Sequence, residues 1–285
     1  MSPRRWFVAL ADSHAGHQLG LLNPDAVLVR MNGDGDWEEW CPELTATQRY
    51  LWDVYQEKIS ELRFLTGDDE VVVVHNGDLT QGDKYPDGLI GGVSRADQLD
   101  IAYWNLIPLL ELDNVTKLRI VTGTLSHVPD SAEARVAHRL ANETGKDVAA
   151  THHSRLTFGS FLADCAHHGP HPGTRHWLRG NVALYYLRDC IYRDLANGKA
   201  PADVYLRAHY HDLVTVPFDY SYLDEYRQAT LAILPSMSGF TDYARQATRS
   251  QFELTNGLLA WSIDGHDHRL HRLVRSLDLR TEESL

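Results

Sequence analysis

Short apolar runs recur along the chain, and each is ended by polar or turn-forming residues. The first covers residues 6–11 and stops at Asp12, and another covers residues 71–74 and stops at His75. Runs of this length, rich in β-branched and aromatic residues, predict buried β-strands. The same pattern predicts further strands at residues 115–122, 148–158, 160–167, 203–208, 229–235, 257–264 and 269–277.

Helical patterns separate several of these strands. Thr45 and Gln48 have the spacing of a capping box, and apolar residues then recur on one face as far as Gly67, which predicts a helix. Ser94 and Asp97 have the same spacing and predict a second helix. Two more helices are predicted, one from Asp130 with Glu133 in its first turn to about Gly145, and one over about residues 177–196.

The order of the elements changes along the chain. Strands alternate with helices at first, and strands dominate after about residue 215. A turn at Gly159-Ser160 predicts an antiparallel pair of strands. Parallel central strands followed by later hairpins predict an α/β fold in which two sheets pack together with helices outside. We expect a single domain over residues 1–285, with residues 15–44 as a loop insertion over the strand ends and residues 215–285 as its β-rich C-terminal part.

Charge and composition narrow the partners and the compartment. The net charge of −12, from 27 basic and 39 acidic side chains, argues against a long basic surface for extended duplex nucleic acid. Binding of short or single-stranded nucleic acid stays possible. Three scattered cysteines do not make a disulfide framework, so we expect a reducing, cytoplasmic compartment. No apolar run approaches the roughly 18 residues of a membrane span, so we expect no membrane partner.

Aspartates and histidines lie at or just beyond the ends of five predicted strands. Residues at the carboxyl ends of such strands converge on one crevice, and Asp and His together suit first-row divalent metals. An extended chain after the first strand would direct Asp12 and His14 to one side, toward one metal. The residues at these ends are Asp12, His14, Asp78, His127, His167, His168, His209 and His211.

The order and approximate spacing of five motifs between residue 6 and about residue 215 resemble those of the calcineurin-like metallophosphoesterases. The motifs are Asp12-x-His14, Gly77-Asp78, Gly123-Thr124 with His127, His168-Gly169 and His209-x-His211. The resemblance implies a four-layer αββα sandwich of two mixed sheets, with a dinuclear centre of Mn, or of Fe or Zn, at the carboxyl ends of the strands.

The resemblance also implies a ligand set and a reaction. Asp12, His14 and His211 would hold one metal, Asp78 would bridge, and His168 and His209 would hold the other. His167 rivals His168, which we prefer because it directly precedes Gly169. The implied reaction is hydrolysis of a phosphate ester by in-line attack of a hydroxide that bridges the two metals.

The third motif departs from the family pattern. The family usually has Gly-Asn-His there, whereas this chain reads Gly123-Thr124-Leu125-Ser126-His127. Thr124 would be a weaker ligand than an asparagine. His127 would be either the general acid for the leaving group or the missing ligand of the second metal, unless it only precedes a helix. Ala208 stands where glycine is common in the fifth motif.

The expected function is therefore a phosphomonoesterase or phosphodiesterase. The alternatives are a nuclease on short or single-stranded nucleic acid, and a catalytically silent scaffold stabilised by metal, which the missing asparagine favours. Arg175, Arg179 and Arg207 would either bind phosphate or be surface charges, and residues 235–243 would close over the site. Substrate, native metal and oligomeric state stay open.

Overall fold

The computed structural model describes residues 4–127, 131–172, 178, 180–240 and 252–283. Within these residues the chain forms thirteen strands and four α-helices. The strands are β1 (Arg5–Leu10), β2 (Leu28–Met31), β3 (Trp37–Trp40), β4 (Glu70–His75), β5 (Val115–Val121), β6 (Asp147–Thr151), β7 (Ser154–Phe158), β8 (Phe161–Cys165), β9 (Val204–Arg207), β10 (Val214–Tyr222), β11 (Glu225–Ile233), β12 (Glu253–Asp264) and β13 (Asp267–Asp278). The helices are α1 (Ala46–Thr66), α2 (Arg95–Leu110), α3 (Ala132–Thr144) and α4 (Asn181–Ala196).

The strands form two mixed sheets and one hairpin. The first sheet has the order β13-β12-β1-β4-β5-β6, and β1, β4, β5 and β6 are parallel. The second has the order β10-β11-β9-β8-β7, in which β11, β9 and β8 are parallel. The hairpin β2–β3 lies within the predicted loop insertion.

Alternate side chains of a strand pack against different layers of the fold. In β1, Trp6 and Val8 pack with residues of α1, α2 and α3, whereas Phe7 and Ala9 pack with residues of the second sheet. On the outer face of the second sheet, Tyr205 packs against α4. Successive side chains of a strand point to opposite faces, so a strand that is apolar on both faces must be covered twice. The predicted α/β sandwich of two sheets flanked by helices is confirmed.

The predicted helix starts rest on real capping interactions. Thr45 and Gln48, and likewise Ser94 and Asp97, exchange side-chain-to-backbone hydrogen bonds in complete capping boxes. Helix α1 ends at Gly67, as predicted. Helix α3 ends at Gly145 but begins after Ser131, and Asp130 lies outside the described residues. Helix α4 is described from residue 181, and residue 177 lies outside the described part of the chain.

Two strand predictions need correction. The run 148–158 is not one strand, because β6 joins the first sheet beside β5 and β7 joins the second sheet beside β8. The antiparallel turn at Gly159-Ser160 between β7 and β8 is confirmed. Strand β10 was not predicted. It contains Pro217, which a strand tolerates because β10 is at the edge of its sheet. No helix among the described residues is long and apolar enough to cross a membrane.

Candidate metal centre

The ends of the central strands meet at one edge of the sandwich. Parallel pairing brings the residues after β1 and β4 together, and their backbones are joined by hydrogen bonds from Asp12 N to Gly77 O (3.0 Å) and from His14 N to Asp78 O (3.1 Å). In the second sheet, Ala208 N donates to His167 O (2.8 Å), which joins the ends of β8 and β9. The motifs predicted from the sequence are therefore neighbours in space.

The backbone at this edge is strained. Five residues predicted as ligands have left-handed φ angles between 45° and 76°, and these residues are Asp12, His14, Asp78, His209 and His211. The chain through Asp12 and His14 is therefore not extended. A non-glycine residue with positive φ is uncommon, and such residues concentrate at functional sites. Strain of this kind is typical of a functional site.

The first group of donor atoms consists of Asp12, His14 and His211. All three side chains are buried, and their ligand atoms lie within 4.8 Å of one another. The Nε2 atoms of His14 and His211 are 3.2 Å apart, and Asp12 Oδ1 is 3.6 Å from His211 Nε2. These distances are compatible with one ion held between three donors.

Hydrogen bonds at the far side of each ring assign the tautomers. His14 Nδ1 donates to Gln81 Oε1 at 3.0 Å. Ser236 Oγ donates its hydrogen to Ser238 O, so in its contact with Ser238 Oγ it is the acceptor. Because the Ser238 hydroxyl hydrogen is used in that contact, Ser238 Oγ accepts from His211 Nδ1 at 3.3 Å. In a neutral ring with its hydrogen on Nδ1, Nε2 is an unprotonated acceptor, and the Nε2 atoms of His14 and His211 face each other. Burial, with the neighbouring His127 and His211, holds the pKa of His14 well below its usual range.

The donor atoms of this group surround one common point. Asp12 Oδ1 is a buried carboxylate oxygen with no hydrogen-bond partner among the residues that the structure describes. Buried polar atoms without partners are costly, and a carboxylate oxygen repels the lone pair of a neutral imidazole nitrogen such as that of His14. The residues therefore fit a bound cation, and they can hold a metal ion.

The second group consists of His167, His168 and His209. His167 is buried, donates from Nδ1 to Asn76 O (2.8 Å), and directs Nε2 to 3.1 Å from Asp78 Oδ2. That contact lacks hydrogen-bond geometry, and within the described part of the chain His167 Nε2 has no hydrogen-bond partner. His168 is exposed, with its ring centroid 4.8 Å from that of His209. Of the two rivals, His167 lies against the carboxylates.

Gly169, which led us to prefer His168, has a different role. A Cβ at this glycine would lie 2.6 Å from the Arg207 side chain, so glycine is required for packing and does not mark the preceding residue as a ligand. Arg207 itself is buried and pairs with Asp164 Oδ1 at 2.8 Å. It is therefore neither a surface charge nor placed to bind phosphate. Arg175 and Arg179 lie outside the described residues.

Asp78 lies between the two groups. Its Oδ2 is 3.9 Å from His209 Nδ1, and its side chain also forms clusters with His14 and with Asp12. Gly123 makes room for Asp78, because a Cβ at Gly123 would lie 2.2 Å from Asp78 Oδ1. Gly77 makes room for the neighbouring His167, because a Cβ there would lie 2.4 Å from His167 Nδ1. Burial would raise the pKa of Asp78, but His167 and the other histidines outweigh it and hold that pKa well below its ordinary value.

The divergent third motif also reaches the centre. Thr124 N donates to Asp78 Oδ1 (2.6 Å), and Thr124 Oγ1 lies 3.3 Å from both Asp78 Oδ2 and His209 Nδ1. His127 is half-buried, donates from Nδ1 to Gln81 O (2.7 Å), and has its ring centroid 4.8 Å from that of His14. It is not the cap of α3, which is Ser131.

Several residues that support the centre were not found from the sequence. Gln81 and Ser238 accept hydrogen bonds from ligand histidines, and neither residue type signals such a role. Glu133, predicted only as part of a helix start, is buried under the third motif and accepts from Gly123 N at 3.2 Å. Burial raises the pKa of Glu133 to about 7. In the segment 235–243, residues up to 240 are described, and residues 241–243 lie outside the described part of the chain.

No protein-family model matches this chain, and no curated protein is similar enough in sequence to be identified as a relative. The function therefore has to be inferred from the residues of the centre alone.

Proposed function

We propose that this protein is a metal-dependent hydrolase of phosphate esters, acting on monoesters or diesters with two divalent cations. The observation that carries the proposal is the pair of donor groups on either side of Asp78. Two cations on either side of a shared carboxylate are the arrangement that phosphoryl-transfer enzymes use to hold a phosphate group. One tetrahedral ion would need fewer donors than the two groups provide.

Manganese stays the expected metal, with iron or zinc as alternatives, because the carboxylates suit manganese and the imidazoles suit iron and zinc. Every donor in the described groups is an imidazole nitrogen or a carboxylate oxygen, a set that suits first-row divalent metals. We assign Asp12, His14 and His211 to the first cation and Asp78 to both. His209 and His167 would hold the second cation, with the exposed His168 beside them.

Cations bound here would polarise the phosphoryl oxygens and make a water molecule acidic enough to act as a nucleophile near neutral pH. The protein's own residues would do the rest. Thr124 holds Asp78 through its backbone N–H and so fixes the orientation of the shared carboxylate. The strained backbone at Asp12 and Asp78 presents both carboxylates to the same space without any need for rearrangement.

His127 is our candidate for the general acid. With Nδ1–H bound to Gln81 O, a protonated His127 carries its second proton on Nε2, where it can pass to the oxygen of the leaving group. The half-buried ring is accessible to a substrate that approaches the cations from solvent. The same ring also lies in a cluster with His14 and Asp78, so a role as a ligand is the competing assignment.

The test begins with metal content. Protein purified without chelator and supplied with Mn²⁺ should retain close to two ions per chain by elemental analysis, and should hydrolyse p-nitrophenyl phosphate or its bis-nitrophenyl diester. Asp78→Asn should lose at least one ion and nearly all turnover. Asp83→Asn is the matched control, because Asp83 is an exposed carboxylate on the same loop that pairs with Arg95. Retained metal without hydrolysis would favour the silent scaffold, and wild-type turnover in Asp78→Asn would refute the bridging role.

A further inference from the structure

Gln81 contacts two histidines of the centre at once. It follows Asp78 by three residues, and its side chain is only 4% exposed. Its side-chain Oε1 accepts from His14 Nδ1 at 3.0 Å, and its backbone oxygen accepts from His127 Nδ1 at 2.7 Å. One residue thus supplies the outer hydrogen bond of a proposed metal ligand and of the proposed general acid.

We infer that Gln81 is a positioning residue that fixes His14 in the tautomer able to bind a cation. A neutral imidazole has one hydrogen on either ring nitrogen, and only the nitrogen without it can ligate a metal. Gln81 Oε1 is an acceptor, so it requires the hydrogen on Nδ1 and leaves Nε2 free. His14 Nε2 is the atom that faces His211 and Asp12.

The uncharged amide has a second consequence. A carboxylate in the same place would pull the Nδ1 hydrogen more strongly and make His14 a more basic ligand. It would also add a third buried carboxylate near Asp12 and Asp78, which costs stability until a cation is bound. Gln81→Glu should therefore keep or increase the metal affinity while it lowers the stability of the metal-free protein.

The loop that carries Gln81 is held by other bonds. Gln81 N donates to Ala15 O at 3.0 Å, and both atoms of the Gln98 side-chain amide bond the backbone of Gly82. Gln81→Leu removes the acceptor for His14 but leaves all of these bonds in place. Gln98→Leu removes the clamp on Gly82 but leaves that acceptor, so it is the matched control for loss of loop structure.

The experiment measures Mn²⁺ affinity by calorimetry and the tautomer of His14 by ¹⁵N NMR of the metal-free protein. In the wild type we expect the hydrogen of His14 on Nδ1. Gln81→Leu should lose that preference and bind Mn²⁺ about 10- to 100-fold more weakly. Gln81→Glu should restore both properties, and Gln98→Leu should keep the wild-type tautomer even where its melting temperature falls.

The outcomes separate the inference from its alternatives. Two results for the wild type would overturn the inference: a His14 hydrogen on Nε2, or no binding of Mn²⁺. Two results for the variants would also overturn it: an unchanged Mn²⁺ affinity in Gln81→Leu, or a tautomer change in Gln98→Leu equal to that in Gln81→Leu. The inference depends on the metal-binding part of the proposed function and not on hydrolysis. A protein that binds Mn²⁺ but cleaves no phosphate ester would refute the proposed function and leave the role of Gln81 standing.

Discussion

Binding of Mn²⁺ is expected to expel a proton from His167. Its buried Nε2 is 3.1 Å from Asp78 Oδ2 and 3.9 Å from Asp12 Oδ1. Burial alone would lower the pKa of His167, but the two carboxylates outweigh it and raise that pKa to about 9. Without a cation the ring therefore holds a proton at neutral pH, and Nε2 can become a ligand only after that proton leaves.

The size of the effect follows from the shift. Moving a histidine pKa from 6.5 to about 9 corresponds to roughly 3 kcal/mol in favour of the protonated form. Because the folded pKa is raised, this stabilisation of the metal-free protein is fully present below pH 6.5 and is lost as the pH rises through about 9. The affinity for the metal should instead increase with pH, because the ion must displace one proton. The expected increase is about tenfold per pH unit between neutral pH and about 9.

Calorimetry in two buffers with different heats of ionisation counts the protons released. The pKa of His14 is already lowered by burial, so we expect about one proton per chain at neutral pH, and it should come from His167. His167→Gln should release almost none and lose the pH dependence. His138→Gln, at an exposed position of α3, should behave like the wild type. Equal proton release from His167→Gln and wild type would refute the reasoning.

Three further results are expected. His127→Ala should reduce hydrolysis more than Thr124→Ala does. If the loss is confined to alkyl esters, His127 is the general acid; if nitrophenyl esters are also affected and one ion is lost, His127 is a metal ligand. If hydrolysis does not fall at all, the result would favour the scaffold. Chelation should lower the melting temperature, since an ion at about 100 times its Kd contributes about 2.7 kcal/mol to the free energy of unfolding. Arg207→Met should lower the free energy of unfolding, measured by chemical denaturation, by about 3 kcal/mol, because Asp164 loses its buried partner. Adding Asp164→Leu should recover most of that free energy. An unchanged denaturation midpoint in Arg207→Met would contradict this.

The layers of the fold were predictable because local signals and burial agree. Runs such as residues 71–74 are apolar on both faces, which indicates a sheet covered on both sides, and the capping boxes at Thr45 and Ser94 mark true helix starts. The change of sheet between β6 and β7 was not predictable in the same way. It occurs at residues 152–153, where no glycine or proline signals a break.

The centre was predictable only as far as residue types carry chemistry. Aspartates and histidines at strand ends were found because their side chains are metal donors. The choice between His167 and His168 depends on which way each ring turns from the backbone, and adjacent residues at a strand end point in different directions. Gln81 and Ser238 contribute as acceptors in specific geometries, and glutamine and serine do that in many settings without any signal in the sequence.

Two separate costs in the metal-free protein have one remedy. The left-handed backbone at the five strand-end residues costs of order 1 kcal/mol each, and glycine would relieve it, yet aspartate and histidine stand there. Among the described residues, Asp12 Oδ1 is buried without a hydrogen-bond partner, at further cost. The fold alone does not require either feature, since glycine or apolar side chains at these positions would make the metal-free protein more stable. A cation between the groups would satisfy this oxygen and would use the same strained backbone, so both costs are those expected of a site that can hold a metal ion.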